Sequence, residues 1–198
     1  LIIGLSRAGY DGVRRQFEER TIRKFYWAIA AKAPKQPDGL IDRPLAETDP
    51  KQPGEKKLAR IAPVGRGGKP AQTAFRGLRG SERGALLECR PLTGRLHQVR
   101  VHLASMGCPV LGDGLYAPGG VAAAAPRLAL HAHRLVFEHP RSGARMDVHS
   151  SGMPRELKGV LKRFGLTLPG TGGVSTKAAS EDSEGSSGEG VDTDRNES

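Results

Sequence analysis

The pattern that most restricts the fold of this chain is a series of short segments rich in apolar, aromatic and β-branched residues. Loops rich in glycine and proline separate these segments, as at residues 65–70. Strands are predicted at residues 24–30, 57–62, 71–78, 84–91, 128–137 and 146–149. Such strands with few helices between them predict an α+β domain, in which a mainly antiparallel mixed sheet carries a few flanking helices.

Helical periodicity is clearest in residues 96–106. Leu96, Val99, Leu103 and Met106 recur there at helical spacing, and Gly107 is a suitable stop signal. Residues 6–20 predict a second helix with Ser6 as N-cap, and residues 154–164 predict a closing helix. Residues 1–3 suggest a strand, whereas residues 33–54 are predicted to be a loop with a short extended piece at 40–42.

The composition changes near residue 170. The last 28 residues hold two basic and seven acidic side chains, which leaves 29 basic and 14 acidic side chains in residues 1–170, a net charge of +15. A segment with almost no large apolar side chain cannot offset its ordering entropy. We therefore expect a folded domain at 1–169 and a disordered, acidic, Ser/Gly-rich tail at 170–198.

The charge and the cysteines restrict partners and compartment. A strongly cationic body favours polyanions such as nucleic acid, although a soluble protein with a basic surface would show the same charge. Cys89 and Cys108 lie in separate segments without metal-site spacing, which predicts free thiols in a reducing intracellular compartment. The apolar runs are shorter than the roughly 20 residues of a membrane span, so we expect no membrane association.

The most specific signal is a long ordered string. Residues 91–104 read PLTGRLHQVRVHLA and residues 107–116 read GCPVLGDGLY; around them, in order, stand RKFYWA at 23–28, GKPAQT at 68–73 and LALHAHRL at 128–135. This arrangement resembles the RluA-class RNA pseudouridine synthases. Leu96 departs from the Ser or Thr that usually follows the Gly-Arg pair, a change that affects packing at the helix start.

The resemblance implies a function. Members of this class convert uridine in rRNA or tRNA to pseudouridine without metal or organic cofactor: the glycosidic bond is cleaved, the uracil rotates, and it rejoins through C5. Their catalytic aspartate lies in a His-Arg-Leu-Asp stretch, which this chain lacks. We therefore expect the nucleophile upstream of Leu1 and a fragment that is inactive alone; neither Asp42 nor Asp113 has the required context.

Site residues follow from the matched positions. Tyr26 corresponds to the tyrosine that stacks on the target base and accepts the C5 proton, directly or through solvent, and Arg100 to the cation that pairs with the catalytic aspartate. Val99 corresponds to the apolar residue beside the base. Arg95, His97 and Gln98 are assigned to substrate binding. Without the match, Tyr26 would be an ordinary core aromatic and Arg100 a solvated cation.

Alternatives remain for both the metal and the function. His97 and His102 lie on different faces of the predicted helix, and His131 and His133 have no evident third ligand, so ordinary hydrogen-bonded histidines are the better interpretation and no metal is predicted. The enzyme hypothesis competes with a catalytically inactive RNA-binding module and with a generic basic scaffold protein. We expect a monomer whose partner is RNA.

Overall fold

A computed structural model describes residues 2–50, 52 and 54–169. Its helices are α1 (Arg7–Glu18), α2 (Gln98–Ser105), α3 (Gly119–Ala122) and α4 (Arg155–Arg163), and a 3-10 turn spans Val64–Arg66. Its strands are β1 (Arg23–Ala30), β2 (Asp38–Asp42), β3 (Leu45–Thr48), β4 (Leu58–Ile61), β5 (Gln72–Ser81), β6 (Gly84–Pro91), β7 (Leu130–Glu138) and β8 (Arg145–His149). None of the helices in these ranges is long and apolar enough to cross a membrane.

The main sheet has six strands in the order β2-β5-β6-β1-β7-β8, and each neighbouring pair is antiparallel. The predicted α+β fold with an antiparallel sheet is confirmed. β1 lies inside the sheet, which explains why its second half, Ala28 to Ala30, is completely buried. A register shift between Phe25 and Tyr26 interrupts the pairing of β1 with β7.

Helix α2 is buried on two sides. Val99 and Leu103 pack into the main core, while Val101 belongs to a second cluster with Leu45, Ala59 and Ala71 beside the β3–β4 hairpin. A helix held between a sheet and a hairpin has little freedom to shift. The side chains that α2 presents at its N-terminal end are therefore held rigidly.

Two predictions about where helices begin had different outcomes. The Ser6 N-cap is confirmed, because its hydroxyl accepts a hydrogen bond from the Gly9 N–H. The predicted start of the main helix at Leu96 is wrong by two residues, because His97 adopts a left-handed conformation with φ of 49° and α2 begins at Gln98. Residues 93–97 form a loop instead.

Other differences come from long-range pairing. Residues 33–54 contain two strands, and β3 was missed because its four residues are ordered by β4 and by an isolated bridge from Leu45 to Lys69. The short helix α3 was also missed. Ile2 and Ile3 form no strand and Ile3 is 68% exposed, while Leu1 and the predicted tail lie outside the described residues.

Candidate active site

One cleft of about 330 Å³ opens between β1, the 93–97 loop and the first turn of α2. All six predicted site residues line it: Tyr26, Arg95, His97, Gln98, Val99 and Arg100. Leu128 and Leu130 close its apolar side. Residues separated by some seventy positions in sequence are thus brought to a single concave surface with an apolar wall and a cationic wall, the usual make-up of a ligand site.

Tyr26 occupies the register position on β1 that faces Cys89 on one side and Ala132 on the other. Its side chain is half-buried, and this burial raises the pKa of the Tyr26 phenol above its ordinary value. The ring therefore presents a neutral aromatic surface to the cleft at neutral pH. Such a surface can stack on a nucleobase.

The 93–97 loop is held by the side chain of Gln98, which is buried. Its amide donates to the Gln72 carbonyl at 2.8 Å and to Thr73 Oγ1 at 3.0 Å, and its carbonyl oxygen accepts from Thr93 Oγ1 at 2.7 Å and from the Arg95 N–H at 3.0 Å. Both donors and both acceptor positions of the amide are thus satisfied within the chain. The Gln98 side chain therefore fixes the positions of Arg95 and His97 in the loop.

Arg100 forms a two-pronged ion pair with Asp113. Arg100 Nε donates to Asp113 Oδ2 at 2.9 Å, and Nη2 donates to Oδ1 at 2.5 Å. Asp113 is 1% exposed and also accepts from the N–H groups of Leu115 and Tyr116. Burial by itself would raise the pKa of the Asp113 carboxyl, but the hydrogen bonds from Arg100 and the backbone outweigh it and lower the pKa.

Tyr116 joins Arg100 to His97. Its ring lies 4.9 Å from the Arg100 guanidinium, a cation–π distance, and its hydroxyl lies 2.8 Å from His97 Nδ1 while accepting from the Ala59 N–H. Burial and the nearby Arg100 lower the pKa of the His97 imidazole. His97 is therefore neutral at pH 7, and it lines the cleft.

Comparison with known proteins identifies the scaffold that carries this cleft. The family model described as RNA pseudouridylate synthase matches residues 1–105. The chain belongs to the RNA pseudouridylate synthase family. The RluA-class resemblance predicted from the motifs is thereby confirmed.

Individual relatives support the assignment to this family. The chain is 37% identical over 147 residues to the dual-specificity RNA pseudouridine synthase RluA of Escherichia coli, which covers 74% of this chain and 64% of that protein. It is also 37% identical over 144 residues to an uncharacterized RNA pseudouridine synthase of Synechocystis, covering 72% of this chain but only 43% of the relative. The chain therefore spans less than two thirds of the length of either protein.

Solved structures of the family share the fold. Human RNA pseudouridylate synthase domain containing 4 aligns over 83% of this chain and 70% of its own, with a TM-score of 0.65 and 25% identity. Human RNA pseudouridylate synthase domain containing 1 aligns over 82% of this chain and 74% of its own, with a TM-score of 0.61 and 23% identity.

No role was assigned from sequence to three residues that hold charged or hydrogen-bonding groups at this site, namely Asp113, Tyr116 and Lys24. The first two stand in the matched string at 107–116, so their motif was visible, but their contact with Arg100 and His97 was not. Lys24 lines the cleft two residues before Tyr26, and burial lowers the pKa of its ammonium group. Because side chains alternate between the two faces of a strand, the sequence could have predicted that Lys24 lies on the same face of β1 as Tyr26.

The histidines on β7 make ordinary contacts. His131 Nε2 lies 3.1 Å from Ser150 Oγ, and His133 stacks on Trp27 at 4.1 Å between ring centroids. Residues 2–50, 52 and 54–169 contain no group of three His, Cys, Asp or Glu side chains arranged to hold a metal ion. Cys89 and Cys108 are free, buried thiols, and burial raises the pKa of Cys89 to about 12.

Proposed function

We propose that this chain forms the base-handling part of an RNA pseudouridine synthase, which converts uridine in rRNA or tRNA to pseudouridine. The observation that carries the proposal is the convergence of Tyr26, Val99 and Arg100 on one cleft in a domain of this family. An aromatic face, a small apolar residue and a guanidinium are the groups needed to hold a uracil that has left its stack.

The target uridine is expected to enter the cleft flipped out of the RNA. Its base stacks on the Tyr26 ring, and Val99 with Leu128 and Leu130 excludes water from the other side. A uracil detached from its ribose must rotate without escaping. A closed apolar wall permits rotation because it forms no directional bonds with the base.

Tyr26 is proposed to act in its neutral form. Because burial raises the pKa of the phenol, direct abstraction of the C5 proton by a tyrosinate is disfavoured at neutral pH. We therefore assign the proton transfer to solvent held by the Tyr26 hydroxyl. The ring itself provides the stacking surface.

Arg100 is proposed to serve the nucleophilic carboxylate through the part of its guanidinium that Asp113 does not use. Asp113 binds Nε and Nη2, and in the described part of the chain Nη1 makes no hydrogen bond. Asp113 cannot be the nucleophile, because both its oxygens are bonded and it is buried. A second carboxylate at Nη1 would be kept ionised by the cation.

That second carboxylate is proposed to come from outside residues 1–198. The described residues that line the cleft include neither Asp nor Glu. The same observation favours the competing function, an RNA-binding module that does not modify its ligand. In both functions Arg95 and His97 bind the substrate, and Gln98 acts through them by holding the loop.

Tritium release from RNA carrying C5-labelled uridine tests the assignment of Tyr26. We expect residues 1–198 to give no turnover, and the protein expressed with the coding sequence that precedes Leu1 to be active. In that longer protein, Tyr26→Phe keeps the stacking ring and should lower the single-turnover rate at least about tenfold while RNA affinity changes little.

The matched control is Tyr10→Phe, because Tyr10 is an exposed tyrosine of α1 outside the cleft. A Tyr26→Phe protein with the full single-turnover rate would reduce Tyr26 to a packing residue. Turnover by residues 1–198 alone would refute the external nucleophile. RNA binding without turnover by a longer protein that carries a His-Arg-Leu-Asp stretch would favour the binding module.

A further inference from the structure

Two additional grooves continue the cleft across the molecular surface. The first shares Lys24, Thr93, Gly94 and Arg95 with the cleft and extends to Arg20. The second shares Arg20 with the first and extends to Arg23 and Arg90. We call this path, from Arg95 and Lys24 through Arg20 to Arg23 and Arg90, the cationic track.

The charge along the track is of one sign. Among the described residues that line the two grooves there is no Asp or Glu. None of the five cations forms an ion pair within residues 2–50, 52 and 54–169, whereas Arg7, Arg14, Arg76, Arg100 and Arg134 each have a carboxylate partner. Unpaired cations in a shared groove repel one another, so they favour a polyanionic occupant.

Arg20 occupies a position that disfavours its own side chain. It follows α1 with φ of 59°, and the Arg20 and Thr21 N–H groups return to the carbonyls of Phe17 and Gln16. This is the Schellman arrangement, in which the left-handed residue is usually glycine because a Cβ is strained there. An arginine at this position places a cation in the groove, but its strained backbone lowers the stability of the end of α1.

We propose that the cationic track binds the phosphodiester backbone of the RNA strand next to the flipped uridine. The inference rests on the proposed function, because it takes the uridine to lie in the cleft where the track begins. A strand whose base is flipped out is locally single-stranded, so its phosphates are free to follow a protein groove. The track contacts phosphates and therefore adds affinity without reading sequence.

Arg20→Gly is the decisive substitution, because it removes the cation and also relieves the backbone. We expect this variant to unfold at the same temperature as the parent chain or higher. Its affinity for a uridine-free oligocytidine should nevertheless fall, and the slope of log K against log salt should become shallower by about 0.7, the contribution of one phosphate contact on a single strand. In the triple variant Arg20→Gly, Arg23→Gln, Arg90→Gln, the slope of log K against log salt should become shallower by about 2.

Arg79→Gln is the matched control. It removes the same charge from the far end of β5, where the Arg79 side chain hydrogen-bonds the carbonyl of its neighbour Leu78 and forms no ion pair with any of the described residues. A slope that falls equally for Arg79→Gln and Arg20→Gly would mean that net charge alone binds RNA, and an unchanged slope in the triple variant would also overturn the track. Because oligocytidine contains no uridine, both readouts are independent of catalysis. An inactive longer protein with an intact track would instead count against the synthase function.

Discussion

At the scale of single residues, the site depends on a chain of contacts that runs from Asp113 through Arg100 and Tyr116 to His97. Asp113 is the anchor, because it is buried and accepts from Arg100 and from two backbone N–H groups. Removing one partner of a buried ion pair costs more than the pair itself contributes, since the other charge remains desolvated. The position of the Arg100 guanidinium is therefore set by a carboxylate that takes no part in the proposed chemistry.

Asp113→Asn tests this anchor through its pH dependence. The pKa of Asp113 is lower in the folded protein than the unfolded value of about 3.9, so its stabilising effect is complete above that value and disappears as pH falls through the folded pKa. We expect the variant to lose about 3 kcal/mol of unfolding free energy at pH 7. The difference from wild type should shrink as pH falls below about 3.9.

Urea unfolding of both proteins at pH 7 and near pH 2.5 measures this difference. Asp42→Asn is the control, because Asp42 is exposed and, among the described residues, its carboxylate accepts a hydrogen bond from the Gln72 amide alone. An equal loss of unfolding free energy at both pH values would show that Asp113 stabilises the fold through its shape rather than through its charge.

At the scale of elements, the 107–116 segment has to bring Asp113 under α2 through a tight turn. Gly112 has φ of 73°, and a Cβ there would collide with the Arg127 carbonyl. The backbone of Leu111 joins this turn to the sheet: its carbonyl accepts a hydrogen bond from the Ala129 N–H, and its N–H donates to the Ile29 carbonyl. Glycine is thus required at 112 both by the backbone angle and by the close approach of another chain segment.

Gly112→Ala should lower the unfolding free energy by about 3 kcal/mol or more, because it combines left-handed strain with a backbone clash. Gly143→Ala is the matched control. Gly143 has φ of 68° with nothing within 4 Å of the added Cβ, so only the strain of about 1 kcal/mol applies. Denaturant titrations of the two variants separate the two effects, and equal losses would contradict the clash at Gly112.

At the scale of the whole molecule, charge is divided between a body of net +15 and a C-terminal segment with two basic and seven acidic side chains. The body presents unpaired cations along the track, whereas the segment from residue 171 opposes any polyanion. RNA affinity is therefore expected to reside in the body.

Deleting residues 170–198 should leave RNA affinity unchanged or make it slightly tighter, because the deleted residues carry a net charge of −5. A filter-binding titration of both chains with one RNA at one salt concentration measures the change. A large loss of affinity on deletion would mean that the acidic segment contributes to binding, contrary to its charge.

The sequence by itself determined the features that depend on neighbouring residues. Ser6 caps α1 because its hydroxyl reaches an N–H three residues away. Runs of apolar, aromatic and β-branched residues predicted β1, β5 and β6, and alternation predicted β7. The ordered string at 91–116, with the shorter motif at 23–28, carried the family resemblance and with it the six predicted residues that line the cleft. These signals are either local interactions or ordered motifs that resemble those of the family.

Only the tertiary structure decided the features that depend on distant partners. β3 exists because β4 pairs with it, and the loop before α2 is fixed because Gln72 and Thr73 hold the Gln98 amide. Asp113 reaches Arg100 because the chain turns at Gly112. The hydrogen bonds and close approaches that define such features join residues far apart in the chain, and no pattern along the sequence records their geometry.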